Sequence, residues 1–144
     1  MLKVLAIAFT TGAFATDATA NVADRKGLVC ENRPSDLTES PEKYFYWFDN
    51  TVFEERVVTF NDTVESETDE IADAYVADAD LIYWFAREGT YVLHRKSLQL
   101  EIRNTKIVRR CQVLSSKTIF DAALSEEIQN RQRDYDQRAS GNQL

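Results

Sequence analysis

The chain has 144 residues, of which 44% are hydrophobic, with 24 acidic and 17 basic side chains and a net charge of −7. That length builds one domain with a real core and not two. The acidic balance argues against a nucleic-acid binder, which needs clustered Lys and Arg, and against an anionic membrane surface as partner.

The chain begins MLKVLAIAFTTGAFATDATA. Lys3 gives a positive start, residues 4–15 are apolar, and Ala-x-Ala sites end at Ala15 and Ala20. This is the three-part pattern of a secretory signal peptide. A helix of that length reaches only about 18 Å, short of the roughly 30 Å hydrocarbon core. Cleavage after Ala20 leaves a signal of usual length and a mature chain without a stable membrane anchor. The alternative is a buried apolar N-terminal helix. Cys30 follows Val29 and the charged run Asp24-Arg25-Lys26, which is not a lipoprotein site. The expected location is therefore periplasmic or secreted.

Export decides how the cysteines are read. Cys30 and Cys111 are the only two, an even pair in an oxidising compartment, so a disulfide is expected rather than a free thiol. Closing so long a loop contributes about 4–5 kcal/mol on the chain-entropy model. Two cysteines and one histidine, His94, cannot make a four-ligand Cys/His zinc site. No cofactor is implied.

Past the signal, short apolar runs alternate with polar breaks. They fall at 27–32, 43–49, 51–60, 81–86, 90–95, 98–103 and 106–114, and are rich in Val, Ile, Tyr, Phe and Trp. Residues 71–77 add either an eighth strand or a helical turn. Segment 61–80 holds eight acids and no base, and reads as a solvated acidic loop balanced by the basic region 87–117. Asp69, Asp73, Asp78 and Asp80 lack the spacing and central glycine of a calcium loop. Asn61-Asp62-Thr63 is a glycosylation sequon, relevant only in a eukaryotic source.

The stretch GTYVLHRKSLQLEI, 89–102, changes apolar parity in its middle. A hairpin resolves this by pairing Leu93 with Leu100 and Tyr91 with Ile102 on one face. Lys96-Ser97 suits a tight type I′ turn poorly, so a four-residue loop is expected. His94 then faces Gln99 on the opposite side, as an ordinary outward residue. The next turn, at Asn104-Thr105, pairs Leu100 with Arg109 and Leu98 with Cys111. Either a bulge near Val108 flips that register, which is the expected outcome, or Arg109 points inward and needs a carboxylate. An inward Arg109 would mark an anion or carboxylate site.

Residues 115–140 carry no Gly or Pro, and Phe120, Leu124, Ile128 and Tyr135 share a helical stripe beside Ile119 and Ala123. Ser115 or Ser116 caps the start. From Gln129 the sequence is nearly all polar, so this half is expected to project or fray, with disorder after Ser140. The fold expected is mainly β: a small antiparallel barrel or strongly bent sheet of seven to eight strands with one C-terminal α-helix. Its organisation is signal peptide 1–20, β domain 21–114, and a helix over 115–140 packed on or projecting from it.

Tyr44, Tyr46 and Trp47, with Tyr83 and Trp84, put aromatics on both faces of their strands. One face fills the core. The other is expected to be covered by the helix, or else to bind a ligand or partner. With Arg109 these residues form the candidate ligand or partner surface. No catalytic or metal-ligating set stands out. Asp49 and Asp80 come nearest to a carboxylate pair, and both look like strand-end residues.

Four motifs carry a resemblance over about 90 residues: Leu28-Val29-Cys30, Ile82-Tyr83-Trp84, the Y-x-L-x-R-x-S-L-x-L hairpin over 91–100, and the closing Cys111. The chain is similar to a group of small exported β-proteins of marine bacteria. That group has no established activity, so the resemblance implies export and fold but no site residues. A looser likeness is to periplasmic inhibitors of C-type lysozyme, which are also disulfide-closed barrels. Their Ser-Gly-x-x-Tyr loop has no counterpart here. The function expected is a non-enzymatic binding or interaction module for a protein or small ligand. The alternatives are an inhibitor of a secreted hydrolase such as lysozyme, and a carboxylate-based hydrolase. Mass spectrometry of the exported protein is expected to find a chain that starts at Asn21; one that retains residues 1–15 would refute the signal peptide.

Overall fold

A computed structural model describes residues 24–32 and 41–141. The expected signal peptide and the residues after Gly141 lie outside that range. The strands are β1 (Lys26–Asn32), β2 (Lys43–Asp49), β3 (Thr51–Phe60), β4 (Thr63–Ala72), β5 (Tyr75–Ala77), β6 (Leu81–Ala86), β7 (Gly89–His94), β8 (Gln99–Ile102) and β9 (Val108–Leu114). One helix follows, α1 (Lys117–Gly141). The fold is thus mainly β with a C-terminal helix, as expected, but with nine described strands rather than seven or eight.

The additional strands lie in segment 61–80, which is not an acidic loop. Asn61 and Asp62 both take positive φ, 48° and 65°, the backbone of a two-residue type I′ turn. The turn joins β3 to β4 in register from Phe60↔Thr63. β4 is a sheet edge whose side chains are mostly exposed, so no apolar alternation reveals it. Its acids discourage edge-to-edge pairing. Segment 71–77 is divided: β4 ends at Ala72, and β5 starts at Tyr75.

The sheet order is β4-β3-β2-β1-β9-β8-β7-β6-β5, with antiparallel neighbours throughout. Two meanders, β1–β4 and β5–β9, meet where β1 pairs with β9. At that seam Cys30 is directly opposite Cys111, and the two form a disulfide with a Cα–Cα distance of 4.0 Å. The Cys111 N–H turns away to donate to Leu98 O at 2.7 Å. The cysteines therefore occupy a non-hydrogen-bonded pair, the position where antiparallel backbones come closest.

The sheet curls until β4 approaches β6. Asp73 and Ala74 carry the chain between its two edges. The concave face is filled by side chains, among them Tyr46, Phe48, Trp84, Tyr91, Leu93 and Leu100. Trp84 is the centre of this packing. Its ring stacks on Tyr91 at 5.3 Å and meets Phe48 at 5.4 Å and Tyr46 at 5.7 Å. The hairpin over 89–102 has the expected register, with Leu93↔Leu100, Tyr91↔Ile102 and His94↔Gln99. Its four-residue loop ends at Leu98, in the left-handed region, whose N–H returns to His94 O at 2.8 Å.

On the convex side α1 packs over the first meander. Phe120 and Leu124 meet Phe45 and Leu114, with Trp47 at the margin. Gly27 is what permits this approach, because a Cβ there would sit 2.3 Å from the Phe120 ring. Ser116 caps the helix, its hydroxyl accepting from the Ile119 N–H at 3.2 Å. The polar second half of α1 does not project as expected. Gln132 accepts from the Val64 N–H at 2.7 Å and donates to Asp62 O at 3.1 Å, while the Tyr135 hydroxyl donates to the Asp62 carboxylate. Polar side chains dock it on the β3–β4 turn without an apolar stripe. Replacing Cys30 and Cys111 together by Ala is expected to lower unfolding free energy in urea by at most about 4–5 kcal/mol; an unchanged midpoint would show that the β1–β9 ladder holds without the crosslink.

Candidate ligand-binding site at the polar mouth of the sheet

The curled sheet is open at both ends of β2. Beside Phe48 lies an apolar cavity of about 180 Å³, between Leu28, Ile82, Leu93 and Leu98. Beside Tyr44 the lining is charged. Two cavities of about 250 and 280 Å³ share Glu54, Arg56 and Glu88 as a common wall. Both are at the small end of ligand sites, which run from roughly 300 Å³ upward.

Arg109 stands at this mouth. The expected bulge near Val108 is not there: the ladder runs Glu101↔Val108, Leu100↔Arg109, Gln99↔Arg110 without interruption. Arg109 therefore faces inward and is 5% exposed. The disulfide explains why. Cys111 lies on the concave face, and residues two apart on a strand share a face. The same rule brings Asn32 inward beside Cys30, and Asn32 is opposite Arg109 in the ladder.

No carboxylate pairs directly with Arg109 among the described residues. Nε donates to Asn32 Oδ1 at 3.1 Å, and Nη1 donates to the Tyr46 hydroxyl. The guanidinium lies flat over the Tyr44 ring, 3.4 Å from its centroid. A buried cation hydrogen-bonded only to neutral groups is costly, and the more distant attraction of Glu54 compensates only in part. The stacking offsets some of that cost, about 2 kcal/mol for a desolvated pair.

Glu54 is the second buried charge, 7% exposed and opposite Tyr46 on β3. Its Oε2 accepts from Arg56 Nε at 3.3 Å, and Arg56 Nη2 is 3.6 Å from Asp69. Burial pushes the Glu54 carboxyl above the usual range, against the attraction of Arg56. Across the mouth, the Tyr91 hydroxyl donates to Glu88 at 3.0 Å and that of Tyr44 to Glu42 at 2.8 Å.

The residues expected to form a surface thus divide. Tyr44, Tyr46 and Arg109 come together at the mouth, Tyr46 through its hydroxyl alone. Trp84 is fully buried in the core behind Tyr46. Trp47 lies on the convex face against Phe120, 5.4 Å away, so helix cover holds for β2. It does not hold for β6, where Tyr83 packs beside Phe85, which is 68% exposed. His94 lies on the outer face as expected, 3.5 Å from Glu101. Asp49 is exposed at a strand end, and Asp80 pairs with Lys96 at 3.3 Å. Asp78 accepts from the N–H groups of Asp80 and Leu81, and these bonds hold its carboxyl below the usual range. No three metal-type side chains converge among the described residues.

Sequence reading missed Asn32, Glu54 and Glu88. A signal existed for the first two. Parity from Cys30 brings Asn32 inward, and parity from Val52 brings Glu54 inward. Glu88, in a turn, has no such signal.

No family model matches the chain, and no curated protein or solved structure does.

Burial raises the hydroxyl pKa of Tyr46 well above its usual value, and that of Tyr91 to about 12, with the bond to Glu88 adding to the second shift. In the unfolded chain both titrate near 10. The stability they contribute is therefore complete below pH 10 and is lost as pH rises through the folded values. Unfolding free energy is expected to fall between about pH 10 and 12 as tyrosinate absorbance appears. Full ionisation of every tyrosine near pH 10 with the fold intact would contradict their burial.

Proposed function

We propose that the protein is an exported, non-enzymatic binding module whose ligand enters the polar mouth beside Arg109. The disulfide fits an oxidising compartment, and the N-terminal pattern is that of a secreted chain. The likeness to small exported proteins of marine bacteria supports the same compartment. No helix among the described residues is long and apolar enough to cross a membrane. The observation that carries the binding reading is Arg109: a buried guanidinium beside a cavity, oriented by Asn32, Tyr44 and Tyr46, without an ion-pair partner among the described residues. A fold gains little from such a charge, whereas a binding site uses a preoriented one.

A second reading, a carboxylate-based hydrolase, is favoured by Glu54. A buried carboxyl raised above its usual range is suited to general-acid work, and Glu88 shares its cavity wall. Glu54 is engaged by Arg56, so the binding reading ranks first. Amide chemical shifts of the mature protein, screened against small polar molecules, are expected to move around Asn32, Tyr44, Glu54 and Glu88. Responses confined to Val76, Tyr83 and Phe85 would relocate the site to the outer face and overturn the proposal. Turnover of any ester or glycoside in the screen, abolished in E54Q, would favour the hydrolase.

A further inference from the structure

We infer that the mouth is built for a small molecule carrying a single carboxylate, and that Arg109 is the group that receives it; this rests on the mouth being the binding site. A guanidinium has five N–H donors. At Arg109 one, on Nε, is given to Asn32 and one, on Nη1, to Tyr46. The other three, including both on Nη2, have no acceptor among the described residues. These donors are not enclosed by protein and stay open to an acceptor that arrives from outside. The guanidinium lines the 280 Å³ cavity, so these donors have space before them.

The neighbouring charges narrow the ligand class. Arg109 is the one cation on that cavity without a carboxylate of its own among the described residues. Arg56 holds Glu54 and Asp69, while Lys43 and Arg131 both reach Glu127, at 3.4 and 2.7 Å. Among the described residues, the positive charge without a directly paired carboxylate is therefore that of one guanidinium, and a carboxylate matches its planar fork. Glu42, Glu54, Glu55 and Glu88 line the same cavity, and their field opposes a second negative charge. That disfavours phosphate and dicarboxylates. The stacked Tyr44 ring and the bonds to Asn32 and Tyr46 fix the fork before the ligand arrives, which reduces the ordering cost of binding.

The test uses the mature, disulfide-bonded protein and four probes: propionate, succinate, inorganic phosphate and isopropylamine. Amide and arginine side-chain resonances are followed by NMR. Propionate is expected to shift the Arg109 Nε–H signal and the amides of Asn32 and Tyr44, while the other three leave them in place. R109K keeps the charge but loses the fork, and is expected to weaken the propionate response by about tenfold. If R109K does not fold, the arginine signal of the unaltered protein decides by itself. Phosphate, succinate or isopropylamine acting at the mouth as strongly as propionate would overturn the ligand class. So would a mouth that ignores all four probes yet responds to neutral sugars, although it would leave the binding reading intact. A mouth that responds to none of the probes and to no sugar would overturn both.

Discussion

The structure depends on the pairing of β1 with β9. It joins the two meanders, it is the contact between strands most distant in sequence, and the Cys30–Cys111 crosslink sits within it. Every other neighbouring pair in the sheet is between consecutive strands. Those hairpins form from local contacts at small loop-closure cost. The seam has no such advantage, and the disulfide offsets its closure entropy in the unfolded chain.

That seam also sets the chemistry of the mouth. Cys30 and Cys111 face the core because Leu28, Tyr46 and Leu100 pack around them. Strand periodicity then carries Asn32 and Arg109 inward as well. A charge so placed needs solvation, and the aromatic-rich concave face supplies it through the Tyr46 hydroxyl and the Tyr44 ring. The stabilising crosslink and the buried cation are thus consequences of one register. A shift of one residue along β9 would expose Arg109 and break the disulfide geometry together.

The helix divides the convex surface unequally. Phe120 enters over Gly27, and the first meander is covered. Val76, Phe85 and Val108 on the second meander stay exposed. Single exposed apolar residues are common in soluble proteins, and nothing about this face orients a ligand as Asn32 and the two tyrosines orient Arg109. The polar half of α1 instead reinforces the β3–β4 turn through Gln132 and Tyr135. Hydrogen bonds perform there what apolar burial performs in the first half.

Where residues obey a strong periodicity, the sequence alone was sufficient. The alternation in 89–102 determined a hairpin down to its register, the odd and even apolar positions leaving one solution. The cysteine pair was legible from its even count in a chain with an export signal pattern, and the apolar stripe of α1 from its local spacing. β4 was not. Its residues are polar on both faces, and a solvated edge strand has no apolar pattern to distinguish it from a loop. Arg109 was legible only as a choice between a bulge and an inward charge, since a bulge leaves no mark in the residues themselves. Tertiary structure decided it, by bringing Asn32, Tyr44 and Tyr46 from β1 and β2 against β9. Sequence determines what each strand can present; which strands share a wall, and so what solvates a buried charge, is settled by contacts between residues far apart in the chain.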